Sequence, residues 1–126
     1  MRMKKVITMG LVGCMLLSCI RANAKTLAES FSGGSNYKMV TYNATCDYYD
    51  YKKTTYAKTE GYNKKHYVRA YIGGSRNDAS NAVADSGRKW SSTDVKATAS
   101  TRTLVPGTAL LFMKSYFPTG YSKYGK

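Results

Sequence analysis

The sequence predicts an all-β fold, a small antiparallel β-sandwich of five or six short strands, and three observations carry that expectation. Tyr, Thr, Val and Gly are abundant while Leu, Glu and Gln are scarce, the reverse of a helical composition. Apolar and polar residues alternate in short runs, without a sustained helical period. Clusters of Gly, Asn, Asp and Ser separate those runs, and these are turn residues.

Taken in order, residues 25–34 read as an entry segment that ends in Ser32-Gly33-Gly34-Ser35. Residues 37–45 form a first strand and 53–59 a second, followed by the turn Glu60-Gly61-Tyr62-Asn63. Residues 65–72 form a third strand, closed by Gly73-Gly74-Ser75. Its alternation is the cleanest in the chain. Val68, Ala70 and Ile72 share one face and Tyr67, Arg69 and Tyr71 the other, because side chains two apart point the same way. The first set is the expected core face, and the second places a cation between two aromatics.

Residues 78–85 fit either a short helix or an irregular strand. Ser86-Gly87-Arg88-Lys89-Trp90 then introduces the only Trp. Residues 95–102 alternate again, with Val95, Ala97, Ala99 and Thr101 inward and Lys96, Thr98, Ser100 and Arg102 outward. Pro106-Gly107 is a turn. Residues 108–117 are the most apolar run and are expected to be a central strand, ended by Pro118-Thr119-Gly120. Residues 121–126 then form a loose basic tail. If the third strand pairs with 95–102, their outward sets merge into one basic, aromatic face.

The N-terminus carries an export layout. Arg2, Lys4 and Lys5 precede an apolar run of 15 residues, Val6 to Ile20, and Ala22-Asn23-Ala24 supplies an Ala-x-Ala cleavage site. Residues 1–24 are therefore expected to be a secretory signal peptide and 25–126 a single small β domain. The run falls short of the roughly 20 residues of a membrane span, so no transmembrane segment is expected after processing. Leu16-Leu17-Ser18-Cys19 and Leu11-Val12-Gly13-Cys14 resemble lipoboxes, and an anchor at Cys19 is the alternative to free secretion. Cleavage after Ala24 removes Arg2, Lys4, Lys5 and Arg21, leaving 16 Lys and Arg against 7 acids, a charge of +9. Only Cys46 remains, so no internal disulfide can form, and Cys46 reads as a small, partly buried hydrophobe.

With one His, three Cys and seven acids in the chain, the composition speaks against a multi-ligand metal centre, and no cofactor is expected. Cys46 with His66 is the one conceivable catalytic dyad, and two unrelated strand-end residues are the expected reading. Asp47 and Asp50 sit together in a Tyr-rich turn, which is ordinary loop chemistry. Binding is the stronger expectation. A strongly positive domain attracts polyanions. Export makes nucleic acid an unsuitable target and makes anionic lipid, teichoic acid and lipid-linked wall precursor available ones. Tyr48, Tyr49, Tyr51, Tyr56, Tyr62, Tyr67, Tyr71 and Trp90 offer amphipathic contacts to a lipid interface or a sugar face. The plain alternative is that the tyrosines fill outer sheet faces and the cations serve solubility. The residues nominated for envelope binding are Tyr67, Arg69, Tyr71, Arg88, Trp90, Lys96 and Arg102. In that site Arg69 and Arg102 would hold phosphate through their guanidinium forks.

Three features together form a pattern. They are the His66-led strand through Ile72, Gly87-Arg88-Lys89-Trp90 followed by the alternation 95–99, and an aromatic last segment. Over roughly residues 64–117 this pattern resembles the lactococcin 972 family of unmodified bacteriocins. The resemblance implies a small secreted β-sandwich that acts on sensitive bacteria, and points to a lipid-linked wall precursor as target. The chain departs from that pattern in being longer, in having one histidine and in carrying Cys46.

Three functions follow as rivals: a secreted, non-enzymatic bacteriocin-like protein acting at the envelope of other bacteria; an extracellular binding module for wall glycan, polyanion or anionic lipid; and a small hydrolase. The processing expectation is directly measurable. Mass spectrometry of the purified protein should find Lys25 as its first residue, whereas a diacylated Cys19 would make it an anchored lipoprotein.

Overall fold

Thr26 caps a short helical turn in the computed structural model, which describes residues 25–126. The expected signal peptide, its cleavage site and the alternative anchor at Cys19 lie outside the described residues. The Thr26 hydroxyl accepts from the Glu29 N–H at 3.2 Å while the Glu29 carboxylate accepts from the Thr26 N–H at 2.8 Å. This reciprocal capping box starts a single helical turn, α1 (Leu27–Ser30), with Leu27 buried beneath it.

Seven strands follow: β1 (Phe31–Asn43), β2 (Tyr48–Thr59), β3 (His66–Ser75), β4 (Asp78–Asp85), β5 (Lys89–Ser91), β6 (Val95–Pro106) and β7 (Gly120–Gly125). A 3-10 segment, Gly107–Tyr116, joins β6 to β7. Strand accounts for 63% of the described residues, so the all-β expectation stands. All pairings are antiparallel. Sheet one has the order β1-β2-β6. Sheet two is built around β3, with β4 and β5 along one edge and β7 along the other.

The sheets face each other across a core of small side chains. Ala57, Ala97 and Ala99 of sheet one meet Val68, Ala70 and Ile72 of β3. Phe31, Ala84 and Val95 pack around that cluster. Alternation places these residues inward, and the absence of bulk on sheet one lets the larger Val and Ile of β3 seat against it. The interior also holds polar groups, and each has a partner. His66 is fully buried, with Nδ1 2.6 Å from the Lys64 carbonyl and Nε2 2.6 Å from the Thr59 hydroxyl. A carbonyl only accepts, so Nδ1 carries the proton and Nε2 accepts from Thr59 in the neutral ring. Lys53 is 4% exposed and donates to the Pro118 carbonyl at 2.7 Å, with the Tyr37 ring 5.5 Å from its ammonium. Thr55 and Ser35 share a hydroxyl bond at 2.7 Å.

Several expectations change. Residues 108–117 are not a central strand: they form the 3-10 segment, with no buried residue between Gly107 and Tyr116. The run Leu110-Leu111-Phe112-Met113 lacks strand alternation, and the core is filled by Ala, Val and Thr instead, so apolarity alone misplaces it. Residues 121–126 are not a loose tail but β7, paired with β3 from Gly120↔Ile72 to Gly125↔Tyr67. Here Ser122 faces inward, its hydroxyl donating to the Tyr56 carbonyl of sheet one at 2.6 Å. Residues 78–85 resolve as a strand. The entry segment is replaced by α1 and by a β1 that starts at Phe31. The third strand pairs with β4, β5 and β7 rather than with 95–102, which belongs to the other sheet. Cys46 is exposed in the β1–β2 turn rather than partly buried.

The core assignment predicts unequal costs for two truncations. Ile72→Ala should destabilise by about 3 kcal/mol, because a fully buried side chain leaves a cavity. Val83→Ala, at a position 61% exposed, should stay within about 0.5 kcal/mol. Urea denaturation of both variants checks the contrast.

Candidate functional site

The outer face of sheet two collects five of the seven nominated residues. Tyr67, Arg69 and Tyr71 project from β3 opposite the core set, as the period of two requires. Arg88 comes from the β4–β5 connection and Trp90 from β5, where it pairs with Tyr67. The rings of Tyr67 and Trp90 are 5.0 Å apart, the Arg88 guanidinium lies 4.6 Å from the Tyr67 ring, and the Lys65 ammonium lies 5.4 Å from Trp90. On the far side, Tyr71 stacks on Tyr121 of β7 at 5.2 Å. The Tyr71 hydroxyl is turned back to the Ser75 and Arg76 carbonyls at 2.6 and 2.7 Å. Burial is the main cause that raises the Tyr71 hydroxyl above its ordinary range.

Between these groups lies a recess of about 150 Å³, lined by Tyr67, Arg69, Tyr71, Asn77, Arg88 and Lys123 among others. That is about half the lower end of roughly 300 Å³ usual for drug-sized ligands, so the recess suits a small head group. Its charges are unequal in availability. Arg69 is engaged by Asp85 through Nε at 2.9 Å and Nη2 at 2.5 Å. The pair ties β3 to β4, with both side chains under a third exposed. The Asp85 hydrogen bonds hold Arg69 above its ordinary range. The Arg69 guanidinium, helped by the Gly87 N–H, holds the Asp85 carboxyl below the usual carboxylate range against the opposing effect of burial. Among the described residues, Arg88 and Lys123 make no ion pair, and Lys123 donates to Asn77 Oδ1 at 2.9 Å. The recess therefore keeps two uncompensated positive charges beside its aromatic rings.

Lys96 and Arg102 lie elsewhere, on the outer face of sheet one. The register aligns Lys38, Lys52 and Arg102 in one row across three strands, and Ser32, Lys58 and Lys96 in another. The two rows are roughly 20 Å apart along β2. Between them lie Asn36, Thr54 and Ser100, with the last two hydroxyls 3.0 Å apart. Arg102 grips Asp50 with both Nε and Nη2, and this hydrogen bonding holds Asp50 below the usual carboxylate range. The expected merging of both outward sets into one face does not occur, because the two strands belong to opposite sheets of the sandwich. Lys123, Lys65 and Asn77 escaped sequence reasoning. The Tyr121-Ser122-Lys123-Tyr124 alternation is the signal that marks Lys123.

Cys46 and His66 occupy opposite ends of β2, on the order of 40 Å apart by strand rise. Among the described residues, no three His, Cys, Asp or Glu side chains group closely enough to hold a metal. No described helix is long and apolar enough to cross a membrane. The chain matches no protein-family model, and searches of curated proteins and of solved structures return no match.

The Arg69–Asp85 pair predicts an acid-sensitive contribution to stability. Because the folded Asp85 titrates below its unfolded value, the contribution is complete above the unfolded carboxylate pKa of about 4. It disappears as pH falls through the lowered folded value. A double-mutant cycle with Arg69→Gln and Asp85→Asn should give a coupling of about 1 kcal/mol at neutral pH, near the top of the range for partly exposed pairs. The same cycle at pH near 2 should give a clearly smaller coupling.

Proposed function

We propose that this chain is a secreted, bacteriocin-like, non-enzymatic protein that acts at the cell envelope of other bacteria. It does so by holding an anionic, phosphate-bearing component, such as a lipid-linked wall precursor, on the outer face of sheet two. The observation that carries the reading is the recess in which Arg88 and Lys123 stand beside Tyr67, with Trp90 packed on that ring and the 2% exposed Tyr71 forming part of the recess wall. Two uncompensated cations suit a phosphate or pyrophosphate, and the flanking rings suit the attached sugar or lipid. The resemblance to the lactococcin 972 family and the export layout support the same reading. The non-enzymatic part is supported by His66, whose two ring nitrogens are both occupied inside the core.

A second reading, an extracellular binding module for a long polyanion such as teichoic acid, is favoured by sheet one. Its two cation rows bracket a strip of hydroxyls, a spacing that suits repeating phosphates rather than one head group.

Binding to vesicles carrying a pyrophosphate lipid separates the readings. Arg88→Ala with Lys123→Ala should weaken binding by about tenfold or more, since each removes a charge-assisted hydrogen-bond donor. Lys58→Ala with Lys96→Ala, in the sheet-one row farther from the 3-10 segment, should change it little. The opposite ranking, together with retention on purified walls and no clearing of a bacterial lawn, would select the polyanion module. The loss should be larger at low ionic strength, where screening is weakest.

A further inference from the structure

Large apolar side chains stand in solvent at one end of sheet one. Leu111 is 93% exposed and Phe112 69%, both on the 3-10 segment. Leu104 at the end of β6, Met39 and Tyr42 at the end of β1, Tyr48 at the start of β2 and Tyr116 are each more than 40% exposed. Leu111 and Phe112 are adjacent on one segment and are the most exposed of these residues, and a paired apolar projection of this kind marks an interaction surface. The segment that presents it is held in place. The Gly107 N–H donates to the Asp47 carbonyl at 2.8 Å, fastening its start to the β1–β2 turn. At its far end Phe117 is buried against Tyr37 at 5.4 Å, and the Lys53 ammonium grips the Pro118 carbonyl. The projection is therefore built rather than frayed.

We infer that this end is a lipid-inserting tip that seats the protein in the interface of a membrane containing anionic lipid. The inference rests on the envelope reading and names the surface through which the protein meets the bilayer. Leu111 and Phe112 protrude between the half-buried Leu110 and Met113, a shape that an acyl boundary accommodates without a matching groove. The phenols of Tyr42, Tyr48 and Tyr116 give the surrounding ring the amphipathic character of residues at head-group depth. Lys114 is exposed on the segment itself, and Lys38 and Lys52 lie one row in from Leu104 on the outer face of sheet one, so cations flank the apolar residues and match an anionic surface. The nearby acids are occupied, Asp50 by Arg102 and Asp47 by the Tyr42 hydroxyl at 3.1 Å. Two apolar side chains backed by cations are the elements of interfacial binding, which reaches roughly 5–10 Å into the head-group and acyl boundary.

The test compares vesicles of phosphatidylcholine with vesicles that also contain phosphatidylglycerol, using the purified protein and Leu111→Ser with Phe112→Ser. Both positions are exposed, and circular dichroism verifies that the fold is kept. The double variant should lose about tenfold or more in affinity for the anionic vesicles, in keeping with the apolar area removed from insertion. It should bind inorganic pyrophosphate at the sheet-two recess as the parent does. Phe112→Trp should keep vesicle binding and bring tryptophan emission that brominated lipid quenches beyond the level seen with Trp90 alone. Equal vesicle binding by parent and double variant overturns the tip. So does self-association that the double variant abolishes while vesicle binding persists, which would make a second copy the occupant. A parent that binds pyrophosphate but no vesicle removes the tip and leaves the recess reading standing, whereas failure of both removes both.

Discussion

Val68, Ala70 and Ile72 meet Ala57, Ala97 and Ala99 across the sandwich, and the other features are arranged around that contact. Because side chains alternate along β3, committing those three inward commits Tyr67, Arg69 and Tyr71 outward. That contact uses one face of β3 and leaves both of its edges open to pairing. One edge is shared by β4 and β5, and β7 closes the other, which brings Asp85, Trp90 and Lys123 around the outward set. A slip of one residue in β3 would exchange the core face for the outward face. The site is thus a consequence of the core's register.

The interior includes Ser30, Lys53, Thr55, Thr59 and His66, and these polar groups have structural uses. His66 joins the end of β2 to the residues leading into β3 through Thr59 and Lys64. Lys53 reaches out of sheet one to the Pro118 carbonyl. Each bond satisfies a group that would otherwise be buried without a partner. Each also ties a connecting segment to the sheets. The close approach of β7 to sheet one has a steric condition too. A side chain at Gly33 would collide with Ser122, and one at Gly120 with Thr55. β7 docks where one side of each contact, Gly33 of β1 or its own Gly120, carries no Cβ.

Positive charge is divided rather than concentrated. The recess of sheet two, the paired rows of sheet one and the margin of the 3-10 segment each carry cations. The two strongest carboxylate pairs consume Arg69 and Arg102, the arginines that composition alone makes most attractive as phosphate forks. Available charge then shifts to Arg88 and Lys123. An arginine's presence on an outward face says little until its nearest acid is known, because a two-bond pair with a carboxylate satisfies the same donors that would grip a phosphate.

The all-β class, the core face of β3, the inward set of β6 and the outward direction of Tyr67, Arg69 and Tyr71 were legible in the sequence. Each rests on a two-residue period that survives whatever the strand packs against. Charge and the scarcity of potential metal ligands are equally properties of composition. Tertiary structure alone decided which strands became neighbours, and therefore that Lys96 and Arg102 lie on the opposite side from Arg69. It also turned the expected tail into β7 and left Leu111 and Phe112 in solvent. Strand pairing is a contest among non-local partners, and local alternation carries no record of its outcome. Apolarity misled at 108–117 because hydrophobicity measures the gain on burial, while the space left between two alanine-lined faces determines which side chains can be buried.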